Sequence, residues 1–450
     1  MIRFALLGAA LVAAAPLAAQ QLALPTTTWT LPNGLTVVVH EDHSAPLVAV
    51  NVWYHVGSGR EAPGRSGFAH LFEHMMFQGS ANVGDDQHFK LVQEAGGTLN
   101  GSTNADRTNY YETVPSNYLE LALWLEADRM GFLLPAMTRE KLDNQRDVVK
   151  NERRQNYENR PYGQSSIRTS ELLYPKDHPY HWPTIGYQQD LTDASMDDVQ
   201  GFFRQWYVPN NASLVVAGDV KPAEVRRLAE KYFGGIPAGP AAPKLTPRPV
   251  TLTSDRREVL EDRVTLPEVQ FTWATAPAWH QDDAALVLLA RILGGGRTGR
   301  LYERLVYREQ KAQDADAFAS GRELAGQLSV RVRAREGVGL AEMERAALEE
   351  VRRIAERGVE ADELARAKAR YEAEFIAGLQ TLTARADRLN SYQVFRGSPD
   401  RVNDDLARFL AVTPADVQRV ARQYLLGPKV VLATVPTGRA DLAAAPEATP

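Results

Sequence analysis

Apolar and polar positions alternate along the first part of the chain as they do in strands. Thr36-Val37-Val38-Val39-His40 is β-branched, and the stretch from Val48 to Val56 alternates every second residue, the pattern of half-buried strands. Asn33-Gly34 ahead of them is a hairpin signal. The period then changes. Phe68, Leu71, Phe72, Met75, Met76 and Phe77 cover nearly the whole circumference of a helix, which predicts that the helix is buried. Ser66-Gly67 and Gly79-Ser80 bracket it as start and stop signals. A further helix over 85–95 ends at Gly96-Gly97. The polar strand from Thr98 to Asn104 follows, then a strand from Thr108 to Val114.

Helical periodicity resumes over 116–133, through Tyr118, Leu121, Ala122, Leu125 and Met130. It continues in a long charged helix over 138–158. There Leu142, Gln145, Val149 and Glu152 fall at intervals of 3, 4 and 3 and share one inward face. Glu152 is therefore a carboxylate turned inward, and needs a partner. A helix over 194–207, a strand over 212–219 and a helix over 222–232 lead to the Pro/Gly/Ala run from Gly234 to Pro243, the clearest linker in the chain.

The second half repeats the first. Asp198-Val199-Gln200 and Arg204-Gln205-Trp206 match Asp416-Val417-Gln418 and Arg422-Gln423-Tyr424 at an offset of 218, and a strand follows in both places. The boundaries expected are 20–236 and 251–438 for two homologous domains, 237–250 for the linker and 439–450 for a disordered tail.

The buried helix of the first half carries His70-Leu71-Phe72-Glu73-His74. Histidines four apart lie on one helix face and can reach one metal ion. Zinc takes such nitrogens and keeps an open position in catalytic sites. Glu73, at the edge of that face, is placed to take a proton from an activated water. A pair of core histidines is the bland alternative, but a buried His/Glu/His cluster without a metal is costly. The same offset of 218 lands on Leu288, Arg291 and Ile292, so the second half keeps the helix and lacks the ligands. The polar strand beside the metal helix is a candidate edge for an added peptide strand; an ordinary exposed edge is the alternative.

Composition narrows the picture. A 450-residue chain is long for one core, which predicts two or more domains. With 44% hydrophobic and 24% charged residues it reads as globular. A formal net charge of −5 gives no reason to expect nucleic acid. There is no cysteine, which removes disulfides and thiolate ligands. Arg3, the apolar run from Ala5 to Ala15 and the small residues Ala18-Ala19 read as a signal peptide over 1–19. Export to a periplasm is expected, with no membrane span.

The chain resembles the pitrilysin family, which includes insulysin and the mitochondrial processing peptidases. The resemblance runs from about 27 to 436. It rests on the stretch from Gly67 to Gly79, on Val148-Val149-Lys150-Asn151-Glu152-Arg153-Arg154, on His178-Pro179-Tyr180 and on Leu293-Gly294-Gly295-Gly296. It implies an α+β fold of two homologous domains, each an antiparallel sheet with helices packed on one face. It implies one zinc ion per chain with His70 and His74 as ligands, Glu73 as general base and Glu152, 78 residues after His74, as third ligand. The family often has a second glutamate seven residues before that ligand; here the position is Gln145. Substrates would be short or unfolded peptides, held as an added strand on Asn100, Gly101, Ser102 and Thr103, with Asn100 as the leading side-chain contact, inside a chamber closed by a second chain.

One departure bears on partners. The family uses an arginine and a tyrosine seven apart in a second-half domain to bind substrate and stabilise the oxyanion. Counting from Glu309-Gln310 puts Val306 and Gln313 there. Arg300 and Tyr307 have the spacing but lie six residues early. The expected partner is a homologous subunit without the zinc motif that supplies the pair, a homodimer being the alternative. A non-catalytic binding or scaffolding subunit of the same fold is the competing function, though such subunits usually lose their ligands.

Overall fold

A computed structural model describes residues 22–443. Two sheets organise the chain. The first holds β1 (Thr27–Thr30), β2 (Thr36–Glu41), β3 (Leu47–Tyr54), β4 (Thr98–Thr103), β5 (Thr108–Pro115) and β6 (Ala212–Gly218), in the order β1-β2-β6-β3-β5-β4. The second holds β7 (Arg256–Asp262), β8 (Glu268–Thr275), β9 (Ala312–Gly321), β10 (Gly326–Ala334) and β11 (Val430–Pro436), in the order β7-β11-β8-β10-β9. Apart from β1, the two orders correspond strand for strand. The β1–β2 pair is the hairpin that Asn33-Gly34 predicts.

The first half contributes helices α1 (Phe68–Met75), α2 (Gln87–Glu94), α3 (Leu119–Ala136), α4 (Arg139–Arg153), α5 (Ser165–Leu173), α6 (Gln188–Asp193), α7 (Met196–Trp206) and α8 (Pro222–Phe233). The second contributes α9 (Asp283–Gly294), α10 (Leu340–Arg357), α11 (Ala361–Ala377), α12 (Leu382–Arg396), α13 (Val402–Leu410) and α14 (Pro414–Val420). The fold is α+β and duplicated. Two details differ from the family-based expectation. The sheets are not wholly antiparallel: β2 runs parallel to β6, and β7 to β11. Nor are helices confined to one face. The inner strands are apolar on both sides, with Val37, Val38 and Val39 all buried, and such strands need cover on both faces. The second face of each sheet is covered by a helix from the other half. Ala386 and Leu389 of α12 pack on Val38, Ala49, Val215 and Ala217. In return α5 lies on the second sheet, where Ser165 Oγ meets Thr434 Oγ1 at 3.1 Å and Gln270 Nε2 donates to Thr169 Oγ1 at 3.2 Å.

The helix layer of the first half encloses an ionic cluster. Glu126 and Arg129 of α3 and Glu112 of β5 are each at most 2% exposed. Arg129 Nε donates to Glu126 Oε2 at 2.9 Å, and its guanidinium lies 4.2 Å from the Tyr110 ring centre and 5.2 Å from that of Phe77.

The segment between the halves has no regular structure but is tied down. Asn210 Nδ2 donates to the Gly239 carbonyl and Arg60 Nη1 to that of Pro243. Leu245, Val250 and Leu252 pack in a seam with Tyr174, Tyr180 and Leu324. Of the tail expected to be disordered over 439–450, Ala440–Leu442 form a helical turn, and Leu442 and Ala443 pack against the second core. The expected signal peptide lies outside the described residues, as do 444–450. Among the described residues no helix is long and apolar enough to cross a membrane.

Candidate active site

The site is built on α1. Gly67 precedes it with φ +90°, and a Cβ there would stand 2.9 Å from Gly186 Cα, so the position demands glycine. The first turn is capped from outside: Glu61 accepts the Gly67 N–H at 3.0 Å and the Ala69 N–H at 2.8 Å, satisfying donors that a helix leaves open. Asp190 accepts both the amide and the hydroxyl of Ser66. Tyr110 OH donates to the Phe72 carbonyl at 3.1 Å from the sheet side. Phe68, Leu71, Phe72 and Met75 are buried, and the helix is fixed by this packing.

The outward turn presents His70 and His74, their rings edge to face at 4.8 Å. Glu152, in the last turn of α4, brings Oε2 to 3.3 Å from His74 Nε2 and 3.7 Å from His70 Nε2. One donor atom from each of the three residues lies within 4.8 Å of the others, and no other such triad occurs among the described residues. Directly after Glu152 the helix widens into a π-turn over Arg154–Glu158, a distortion frequent at functional sites. It brings Asn156 Nδ2 to 3.3 Å from Glu152 Oε1. Arg153, beside it, is buried and donates to the Gly186 carbonyl at 2.7 Å.

The electrostatics follow from burial. Burial, and then the neighbouring His74, pull His70 down to about 4, so its ring is neutral and its lone pair available. The hydrogen bond with His74 holds the Glu152 carboxyl below its ordinary value, against partial burial. Burial pushes Glu73 up, offset by a hydrogen bond from Thr103. Two imidazole nitrogens and a carboxylate oxygen converging from two helices form a donor set that suits zinc. His70 Nδ1 is buried with no hydrogen-bond partner.

Glu73 is pressed against the sheet edge. β4 pairs only with β5, and its other side is open among the described residues. A Cβ built on Gly101 would lie 3.1 Å from Glu73 Cγ and 3.2 Å from Tyr110 Cδ1. Gly101 and Thr103 thus share the face of Glu73. Asn100 and Ser102 alternate to the other face, where Ser102 Oγ donates to Asn109 Oδ1 at 2.7 Å. Asn100, expected to be the leading side-chain contact, accepts its neighbour's amide, that of Gly101, at 2.9 Å; the two-residue period of a strand sets this. Gly101→Ala should displace Glu73 and cut peptide turnover by about tenfold, from misplacement of a positioned group, with zinc content unchanged. Parallel metal analysis and peptide kinetics check it.

In the second half, Leu288 and Ile292 are buried in the core and Arg291 pairs with Glu374 at 2.7 Å. Arg300 is held by both oxygens of Glu363, at 2.7 and 2.6 Å, and Tyr307 is 75% exposed. Val306 packs against the core and Gln313 lies in β9. Sequence reasoning missed Glu61, Asn156 and Asp190: Asp190 meets Ser66 across 124 residues, whereas the four-residue spacing of Asn156 from Glu152 was a signal that could have found it.

Fold and cluster together define a class: duplicated α+β chains in which one half carries a His-x-x-Glu-His helix. The chain belongs to the insulinase family, peptidase family M16: the family profile described as Insulinase (Peptidase family M16) matches residues 36–171, and that described as Peptidase M16 inactive domain matches 193–371. The chain is similar to the zinc protease PqqE of Helicobacter pylori, 30% identical over 409 residues that cover 88% of this chain and 89% of that one. It is also similar to a probable mitochondrial-processing peptidase subunit beta of Arabidopsis thaliana, 24% identical, with coverages of 91% and 78%. Among solved structures, a protease from Helicobacter pylori matches with a TM-score of 0.86 at 27% identity, over 92% of this chain and 100% of that one. The periplasmic protease PqqL from Escherichia coli shares the fold, with a TM-score of 0.78 at 19% identity, over 94% of this chain and 49% of that one.

Proposed function

We propose that this chain is the zinc-bearing subunit of an exported peptidase that hydrolyses short or unfolded peptides. The observation that carries the reading is the convergence of His70, His74 and Glu152 beside a carboxylate, Glu73, packed against an open sheet edge. His70, His74 and Glu152 would hold one zinc ion, which supplies Lewis acidity to a water and to the scissile carbonyl. The chain's own groups do the rest. The edge from Asn100 to Thr103 pairs with the extended backbone of the peptide, so contact with substrate is mainly through main chain. Glu73 takes a proton from the attacking water at its carboxylate and passes it to the leaving amine. Thr103 and Gly101 hold that carboxylate in place.

At the positions of the second half that the family's spacing points to, Val306 has no polar group and Gln313 has an amide where a phenol would stand, while Arg300 is engaged by Glu363. A homologous subunit without the zinc motif would supply an arginine and a tyrosine and close the chamber. Loss of such donors commonly lowers the rate by about 10²–10³. The test is the purified chain with quenched peptides, alone and with a homologous subunit encoded beside it. One zinc per chain, with activity appearing or rising steeply on adding the partner, is the expected result. Glu152→Gln should lower zinc affinity by at least about tenfold, as loss of a charged donor requires. Full activity of the chain alone, unchanged by the partner, would refute the heterodimer, and absence of zinc would refute the peptidase.

A further inference from the structure

The open edge of β4 is braced from behind by the second half of the chain. Ser102 Oγ donates to Asn109 Oδ1 at 2.7 Å on the face away from Glu73, and Asn109 Nδ2 donates in turn to Asp387 Oδ1 at 3.0 Å. Asp387 belongs to α12, the helix that the second half lays across the first sheet. The same oxygen accepts Trp53 Nε1 at 3.0 Å. Ser102 is held a second time through its carbonyl, which accepts Arg107 Nη1 at 2.7 Å. The Arg107 guanidinium lies 5.1 Å from the Trp53 ring centre, and Arg107 and Asp387 both line the cleft between the halves. The brace sits in a firm seat. Asn390 Nδ2 donates to the Asn51 carbonyl at 2.8 Å and Thr383 meets Thr113 at 2.8 Å. Positions 383, 387 and 390 lie on one face of α12 with the apolar contacts of Ala386 and Leu389 between them.

An edge strand has hydrogen bonds on one side only, and is free to bend or slip unless something fixes it. Here Glu73 presses on the front of Gly101 while Ser102, the next residue, is tied at its back to a helix from the other half. We infer that Asp387 is a positioning residue: through Asn109 and Ser102 it sets the place of the peptide-binding edge relative to Glu73. The half without the metal residues thereby governs how tightly peptide binds. This rests on the reading of β4 as the peptide-binding edge.

The experiment uses the zinc-loaded chain assembled with its homologous subunit, in a Glu73→Gln background so that bound peptide is not cleaved. Affinity for a fluorescent unfolded peptide is read by anisotropy, and amide exchange of β4 and α1 is followed without peptide. Asp387→Ala should weaken peptide binding about tenfold, the size of one charge-assisted hydrogen bond. It should also speed exchange across 98–103 while α1 and zinc content stay as in the parent. Asp387→Asn keeps an oxygen for Trp53 and Asn109 and should restore affinity to within about twofold of the parent, since an acceptor remains for both donors. Ser102→Ala cuts the tie without touching α12, and should reproduce the loss even if Asp387→Ala folds poorly. Parental affinity in Ser102→Ala and Asp387→Ala, or weakened binding with β4 exchange unchanged, overturns the inference alone. A parent that binds no peptide overturns the peptidase reading and the inference together.

Discussion

Glu73→Gln should bind zinc as the parent does and lose peptide turnover by about 10²–10⁴-fold, the usual contribution of a positioned general base. The expectation follows from where Glu73 stands. It is on the metal helix, yet it is not among the three side chains whose donor atoms converge. Its own contacts are with the sheet edge: Thr103 bonds it, and Gly101 leaves the space that its Cγ occupies. The amide of glutamine fits that space, keeps an acceptor for Thr103 and cannot take a proton. The check is zinc per chain by elemental analysis beside cleavage of a quenched peptide in the fully assembled enzyme. Turnover near the parental rate would remove Glu73 from the mechanism. Zinc loss on this substitution would instead place it among the ligands.

Arg129→Ala should destabilise the first half by about 3–5 kcal/mol, the usual result of taking one partner from a buried ionic group. Glu112 and Glu126 would be left in the layer between sheet and helices, against the rings of Phe77 and Tyr110. Burial, and then the neighbouring Glu126 carboxyl, already push the Glu112 carboxyl up. Without the guanidinium the Glu112 carboxyl prefers the protonated form more strongly. A carboxyl whose pKa is raised on folding adds stability at low pH and loses it as pH rises through the folded value. The deficit of the variant should therefore be smaller near pH 4 than near pH 8, a direction set by linkage. Urea unfolding at the two pH values tests both statements, and a deficit independent of pH would mean that packing alone accounts for it. Replacing all three residues by apolar ones of similar size should be far milder.

The parts of the fold that could be read from the sequence are those whose cause is local. The α1 pentad declares itself because ligand spacing and helical period coincide within five residues. Glu152 could be singled out because Leu142, Gln145 and Val149 mark the inward face of α4, and the structure puts its carboxylate beside both histidines. The edge character of β4 followed from its polar composition. What could not be read has distant causes. The parallel pairing of β2 with β6 joins segments separated by most of the first half. The face on which Asn100 points depends on the register of β4 against β5, which its polar residues do not fix. The burial of Glu126 and Arg129 has no signal within their own helix; only Glu112, arriving on another element, makes it intelligible. The seats of α5 and α12 are the extreme case, because each helix covers a sheet that the other copy of the repeat builds.

That exchange of helices bears on how the duplicated chain can change over evolutionary time. After a gene doubles, one copy is usually free to decay. Here each copy is roofed by a helix encoded in the other, so deleting either would strip a buried sheet face of its cover: Val38, Ala49, Val215 and Ala217 in one direction, and the strands under α5 in the other. At the positions that correspond to His70, Glu73 and His74 the second copy has Leu288, Arg291 and Ile292, so the two copies differ in their chemistry while they share the task of covering each other's sheets. The half without the histidine pair thus has a structural part in the other half: it covers one face of that half's sheet.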